Sequence, residues 1–304
     1  MKKIYIIVGP TASGKSEFGI NLAKKLNGAI INADSMQVYK DLEIITASPS
    51  KDEKNIVPHY GYNHISPEQI YSVAHYLEDL RDALANAENN GSPPIMVGGT
   101  GMYINAALEG LSQIPEINLD TKNLSAEIML KEGLSGLYKK LSDLDPDAAS
   151  KLNKNDTQRI IRAFEVKIQT GNSIHFYQKT NSEPLLKNYD IEIFYLKPER
   201  KFLHTIIESR LERMFEAGVL DEVKKFTDIY NGITQGAAKA VGFKEIVNYL
   251  EGNDNIESLK EKIVIKTRQY AKRQFTWFNN SLKYNHKLLE FSTYSDYKNT
   301  LLSL

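Results

Sequence analysis

Residues 2–23, KKIYIIVGPTASGKSEFGINLA, write a strand, a glycine-bearing loop and a helix into one short stretch. Gly9, Gly14, Lys15 and Ser16 complete the spacing G-x-x-x-x-G-K-[ST]. Ile4 to Val8, β-branched and aromatic, lead in; Phe18, Leu22 and Leu26 lead out at helical spacing. Small residues let the backbone curl until successive N–H groups point inward. The helix starts with its unsatisfied N–H groups and positive dipole end facing the same point. Gly9, Pro10, Thr11, Ala12, Ser13, Gly14, Lys15 and Ser16 are therefore expected to hold a phosphate group. Lys15 adds a mobile positive charge, and the Ser16 hydroxyl is the expected ligand for a magnesium ion. A nucleoside triphosphate such as ATP is the usual occupant of such a loop, but any diphosphate fits the same cradle.

Composition narrows the classes. The chain has 304 residues, enough for one large domain or one domain with an insertion. It has no cysteine, which removes disulfides, thiolate metal sites and cysteine nucleophiles and suits a reducing cytoplasm. No apolar run approaches the roughly 18 residues of a membrane span. Lys2 and Lys3 run directly into the loop strand, so no removable signal segment is expected. Formal net charge is zero, so any nucleic-acid surface has to be a local patch. Six scattered histidines show no metal-binding spacing, and none is assigned a role.

Residues 1–111 alternate strand and helix. Strands are expected at Ile4–Val8, Ala29–Asn32 and Pro93–Val97, with a helix over Ile70–Asn86. Such alternation implies an α/β fold, a mostly parallel sheet flanked by helices in the manner of P-loop NTPases. Ligands of such sheets bind beyond the carboxyl ends of the strands. Three polar signatures sit at those ends: the phosphate loop, Asp34-Ser35, and Gly98-Gly99-Thr100-Gly101. They are expected to converge on one site. Residues 112–189 read as a helical insertion, with helices at Leu124–Lys131, Leu134–Leu141, Pro146–Lys151 and Asp156–Thr170. A strand at Asp190–Leu196 then returns to the sheet, and helices at Lys201–Ala217, Asp221–Tyr230, Phe243–Leu250 and Ser258–Leu282 complete the core within residues 190–304.

The ordered motifs GPTASGKS (9–16), NADSMQVYKDL (32–42), VGGTGMYINAALEGL (97–111), NDTQRIIRAFEV (155–166), RLERMFEAGVLDEV (210–223) and TRQYAKRQFTWF (267–278) resemble the tRNA dimethylallyltransferases, also called tRNA isopentenyltransferases. The likeness covers nearly the whole chain in order. It implies transfer of a dimethylallyl group from dimethylallyl diphosphate to the exocyclic amine of the adenosine just 3′ of the anticodon, with magnesium, by a cytoplasmic monomer. The phosphate loop and Lys15 would then neutralise charge growing on the diphosphate. Asp34 would accept the proton of the attacking amine; its bland alternative is a strand-end aspartate capping the next turn. Thr100 would lie near the bridging oxygen of the leaving group, and Arg210 would reach the diphosphate with its guanidinium fork. The resemblance assigns tRNA contacts to Asp34, Ser35, Met36, Gln37 and Thr100, to Gln158, Arg159, Ile160, Ile161 and Arg162, and to Arg268 and Arg273. Phe275 and Trp277 are expected in the core.

The loop after Asp34 departs from the pattern. Where the family reads D-x-G-T-A-K-P, this chain reads EIITASP (43–49): Ile45 replaces the glycine and Ser48 the lysine. Asn63 and Ser66 stand where aspartates are usual. Two other readings of the first hundred or so residues stay open: a P-loop kinase for a small molecule with Asp34 as base, and a non-catalytic RNA-binding protein with a vestigial loop. No aspartate ends the Pro93–Val97 strand as a magnesium ligand would in such a kinase.

Overall fold

The computed structural model describes residues 1–179 and 181–302, which fall into two compact units, residues 1–108 with 185–304 and residues 109–184. The first unit begins with β1 (Lys2–Val8), α1 (Lys15–Leu26), β2 (Ala29–Asn32), α2 (Glu43–Thr46), α3 (Lys51–Ile56), β3 (His59–Tyr60), α4 (Val73–Asn89), β4 (Pro94–Gly98) and α5 (Gly101–Glu109). The second contains α6 (Leu119–Leu144), α7 (Pro146–Ser150), α8 (Thr157–Thr170) and α9 (Ile174–Tyr177). The chain then returns to the first unit through β5 (Tyr189–Pro198), α10 (Arg200–Glu216), α11 (Val219–Ile229), α12 (Phe243–Leu250), α13 (Ile256–Ser281), β6 (Lys287–Phe291) and α14 (Tyr294–Leu302).

The six strands form one sheet in the order β3-β2-β4-β1-β5-β6, and every neighbouring pair is parallel. Alternation along the strands divides the core between the two faces. Ile4, Ile6 and Val8 of β1 join Met96, Ile193 and Tyr195 on one face with α4, α5 and α13. Ile7 joins Ile30, Ile95, Val97, Phe194 and Leu196 on the other, against Phe18, Leu22 and Ala23 of α1. Burial on both faces explains why these strands read as continuous apolar runs rather than alternating ones. A third cluster is built by α10 to α13, where Leu211, Val223, Phe226, Phe243, Ile246 and Ile263 pack around Val38, Leu42 and Ile45. It holds the segment that follows β2.

Several elements differ from the sequence reading. The helix expected from Ile70 starts at Val73, because Ser72 caps it: Ser72 Oγ accepts from His75 N at 3.2 Å, and Ile70 stays 71% exposed. β3, two residues long, and the edge strand β6 were not expected. Lys287 and Glu290 give β6 the polar surface of an edge, which hides its period. Within the second unit, the two helices expected on either side of residue 133 are indeed separated there, by Gly133, whose φ of 67° and ψ of −172° suit glycine. That unit packs around Leu137, Leu141, Ile160 and Phe164. No helix among the described residues is long and apolar enough to cross a membrane.

Candidate active site

The three strand-end signatures meet, as expected. Gly98, at the end of β4, lies so close to β2 that a Cβ there would stand 2.0 Å from the Ala33 carbonyl oxygen. The Thr100 amide donates to that same oxygen at 3.2 Å. The Ser35 amide in turn donates to Thr100 Oγ1 at 3.0 Å. The phosphate loop closes against the next strand: a Cβ at Gly9 would stand 2.5 Å from the Leu196 carbonyl oxygen. Side-chain-free residues at these points let three backbone turns share a space that one turn with side chains would fill.

Asp34 is presented by a turn that Asn32 builds. Asn32 is 2% exposed; its Oδ1 accepts from the Asp34 amide at 2.8 Å and its Nδ2 donates to the Asp34 carbonyl at 3.0 Å. Asp34 Oδ1 accepts from the Met36 amide at 2.9 Å. Its Oδ2 has no hydrogen-bond donor among the described residues. One oxygen therefore caps the turn, and the other is left to act. The capping alternative is seen in Oδ1, and Oδ2 is the oxygen that the base reading would use.

The cations of the site are poorly compensated. Lys15 Nζ donates to the Pro10 carbonyl at 2.6 Å, and Arg210 Nη1 donates to Thr11 Oγ1 at 3.2 Å. Burial holds the Lys15 ammonium down at about 7, opposed by the Asp34 charge and reinforced by that of Arg210. Burial likewise lowers Arg210, again against the pull of Asp34. Two recessed cations sharing one carboxylate form a site that an anion would complete. Ser13 Oγ is buried in the same loop without a partner. Ser16 Oγ, at the exposed start of α1, makes no hydrogen bond among the described residues. As a hard oxygen donor it fits magnesium, but no three acidic or histidine side chains are grouped to hold a metal among the described residues. The remaining ligands would have to be phosphate oxygens and water, which is usual for this ion.

A cavity of about 220 Å³ opens beside these groups. Its lining combines the polar residues Thr11, Asp34, Ser35, Arg210 and Arg273 with the apolar residues Ile45, Leu211, Met214, Val241 and Ile263. Met36 is on the wall; Gln37 is turned away, its Nε2 donating to the Thr46 and Ala47 carbonyls at 3.1 and 2.8 Å. Arg273 stacks over the Tyr270 ring at 5.6 Å, and Phe275 is core as expected. Arg268 is half-buried and paired with Glu208 at 2.5 Å. In the second unit, Gln158 and Arg159 are exposed on α8, Ile161 and Arg162 are half-buried, and Ile160 is wholly buried. Arg159 is paired with Asp156, the residue that caps the helix.

The loop that departs from the family pattern has its own bonding. Ile45 is 5% exposed and forms part of the cavity wall. Asn63 Nδ2 donates to Ser48 Oγ at 3.3 Å and to the Tyr39 carbonyl at 3.1 Å, while Lys54 Nζ donates to Asn63 Oδ1 at 2.9 Å. Ser48 and Asn63 thus touch, with the Lys54 ammonium on the far oxygen of the same amide.

Sequence reasoning missed Asn32, Gln274 and Tyr297. Gln274 is 5% exposed on the face of α13 that also carries Ala271, Phe275 and Phe278. A polar side chain on an otherwise apolar stripe must find partners inside the protein, and that was the available signal. Its Oε1 accepts from the Thr11 amide at 2.7 Å and its Nε2 donates to the Gly99 carbonyl at 3.0 Å.

Comparison with known proteins agrees with this geometry. A family model described as IPP transferase matches residues 37–281. The tRNA dimethylallyltransferase of Rickettsia conorii is 43% identical over 300 residues, covering 99% of this chain and 82% of its own. That of Rickettsia felis is 42% identical, covering 99% of this chain and 97% of its own. Among solved structures, a eukaryotic dimethylallyltransferase captured acting on tRNA matches with a TM-score of 0.85 at 30% identity, over 98% of this chain and 76% of that one. The tRNA isopentenylpyrophosphate transferase of Bacillus halodurans matches with a TM-score of 0.69 at 32% identity, over 100% of this chain and 94% of that one. With fold, motifs and relatives in agreement, the chain belongs to the tRNA dimethylallyltransferase (IPP transferase) family.

Proposed function

We infer that this chain transfers a dimethylallyl group from dimethylallyl diphosphate to the exocyclic amine of the adenosine 3′ to the anticodon of tRNA. The observation that carries the reading is a single cavity lined both by Asp34, Thr11 and Arg210 and by the aliphatic side chains of Ile45, Leu211, Val241 and Ile263. A diphosphate ester with a short branched hydrocarbon needs both kinds of lining, and an amine nucleophile needs the carboxylate.

The chemistry follows from the groups present. The amine nitrogen forms a bond to the allylic carbon while the bond from that carbon to oxygen breaks, and the electron pair leaves with the diphosphate. Asp34 Oδ2 receives the amine proton, which keeps the nitrogen lone pair available as the new bond forms. The loop amides, Lys15 and Arg210 stabilise the charge gathering on the leaving group, and such preorganised stabilisation is usually the largest catalytic contribution. Thr100 Oγ1 donates to Ser35 Oγ at 3.3 Å, long for a bond between hydroxyls, and is available to the bridging oxygen instead. When bound through Ser16 Oγ, a magnesium ion supplies further neutralisation of the diphosphate.

The target adenosine must leave the anticodon-loop stack to reach Asp34, as bases do in enzymes that modify them. Ser35 and Met36 stand beside that carboxylate to meet it. Gln158, Arg159, Ile161 and Arg162 on α8, with Arg268 and Arg273 on α13, are the proposed contacts to the rest of the anticodon stem-loop. Action as a monomer in the cytoplasm, where tRNA works, is the proposed setting.

A donor swap tests the reading. The protein, magnesium and unmodified tRNA are incubated with labelled dimethylallyl diphosphate or labelled ATP, and the digested tRNA is examined by mass. Prenyl label on the adenosine beside the anticodon, with ATP inert, is the expected result. Phosphate transfer from ATP without prenylation would sink it in favour of a kinase, and tRNA binding with no turnover would leave an RNA-binding protein.

A further inference from the structure

We propose that Gln274 is a positioning residue for the transfer, one that sets the separation and register of the two substrate-facing turns. The proposal rests on the reading above, in which the phosphate loop holds the donor and the Gly98–Gly101 turn carries Thr100 to the leaving oxygen.

Gln274 is the one described side chain that bonds the backbones of both turns, through opposite ends of a single amide. Oε1 takes the Thr11 N–H at 2.7 Å, and Nε2 gives to the Gly99 carbonyl at 3.0 Å. The amide is also as close as it can be: a Cβ at Gly99 would stand 2.2 Å from Nε2, so the glycine is what lets it in. The two partners fix its polarity. Thr11 N–H can only donate and the Gly99 carbonyl can only accept, so the side chain must present an acceptor on one side and a donor on the other.

What hangs on each turn makes the bridge functional. On one side, Thr11 also receives Arg210 Nη1 through its hydroxyl, so Gln274 and Arg210 grip the same residue from two directions. On the other, Gly99 is followed by Thr100, whose hydroxyl accepts from the Ser35 amide next to Asp34. A rigid span from Thr11 to Gly99 therefore fixes the distance between the donor's diphosphate and the residues that meet its reacting end. Reactions of this kind are sensitive to displacements of about 1 Å, which cost on the order of a hundredfold in rate.

The test uses the full chain with Gln274→Met and Gln274→Glu. Methionine fills the space and offers neither bond. Glutamate offers both only when protonated, with its O–H toward Gly99 and its carbonyl toward Thr11; ionised, it turns an oxygen against the Gly99 carbonyl. Each variant is confirmed as folded by circular dichroism and assayed well below its melting temperature, with donor and tRNA varied separately. Gln274→Met is expected to lose about tenfold or more in kcat/KM for dimethylallyl diphosphate while keeping the wild-type Kd for tRNA. Relative to wild type, Gln274→Glu is expected to recover activity as pH falls from about 8 to about 6, and Gln274→Met is expected to show no such recovery. A residue that merely filled the core would change the melting temperature without a pH-dependent rescue. If both variants keep wild-type kinetics and a wild-type pH profile per folded molecule, the role is overturned. If the unmodified chain transfers no prenyl group in the same assay, the underlying reading fails instead.

Discussion

The hydroxyl of Tyr297, on the last helix of the chain, donates to the carbonyl oxygen of Gly14 in the phosphate loop at 2.8 Å. Gly14 has a φ of 85°, and a Cβ there would stand 2.6 Å from the tyrosine ring. The same carbonyl accepts from the Phe18 amide at 3.0 Å, as the first bond of α1. Tyr297 is 4% exposed, so α14 holds the loop from behind with both a ring and a hydrogen bond.

Tyr297→Phe keeps the ring and removes that bond, a net loss of about 0.5–1.5 kcal/mol. The Gly14 carbonyl keeps Phe18 as a partner, so no buried acceptor is orphaned. The KM for dimethylallyl diphosphate is expected to rise severalfold with little change in tRNA affinity, measured by steady-state kinetics with each substrate varied. An unchanged donor KM would mean that ring packing alone holds the loop.

On the proposed function, Lys15 is expected to make donor binding pH-dependent. Its folded value of about 7 lies below the ordinary lysine value, so between the two the unfolded chain binds the extra proton. Stability of the ligand-free protein therefore rises with pH across that window, and the penalty is fully present below about 7. A bound diphosphate favours the charged form, so binding at about pH 8 is expected to take up a proton. Calorimetry in buffers of different ionisation enthalpy would measure it, and heats independent of the buffer would remove Lys15 from the role.

Asp34→Ala is expected to reduce turnover on the order of a hundredfold or more, the usual worth of a general base, and to leave tRNA binding nearly intact. The variant also loses the Oδ1 bond to the Met36 amide. Asp34→Asn, which can keep an acceptor there, should be as inactive but more stable. Wild-type turnover in either variant would assign the carboxylate to capping alone.

Ile45→Ala removes a buried side chain at the cavity wall and should cost about 2–5 kcal/mol of stability, as such truncations do. If Ile45 limits the space for the prenyl chain, the variant gains relative activity with a ten-carbon allylic diphosphate over the five-carbon donor. The melting temperature and a competition between the two donors give both answers from one preparation.

Arg159→Ala combined with Arg268→Ala should weaken tRNA binding and flatten its salt dependence, because fewer phosphate counterions are released. Each arginine now pairs with an exposed or half-exposed acid, Asp156 or Glu208, and such pairs cost little to exchange for phosphate. Filter binding over a range of salt concentrations decides; an unchanged slope would make these residues a solvated face only.

The sequence by itself determined the phosphate loop, the parallel α/β core and the grouping of polar residues at strand ends. These features are local: a short run of residues fixes the strand, the turn and the helix start, and parallel strands bring their carboxyl ends to one edge whatever joins them. It also placed Asp34 at that edge. It could not say that Asn32 would build the turn beneath it, or that one carboxylate oxygen caps while the other stays free.

Only the tertiary structure decided the clamps. Gln274 and Thr11 are 263 residues apart in the chain, Arg210 and Thr11 are 199 apart, and Tyr297 and Gly14 are 283 apart. The local pattern of α13 shows only that Gln274 needs an internal partner, not which one, and the local patterns of α10 and α14 mark neither Arg210 nor Tyr297. That depends on where β5 and β6 add to the sheet and how the helices after them lie across its edge. The physical reason is one of range. Hydrophobic period and turn chemistry act over a few residues, whereas the bonds that hold this site are made between segments that only the packed core brings together.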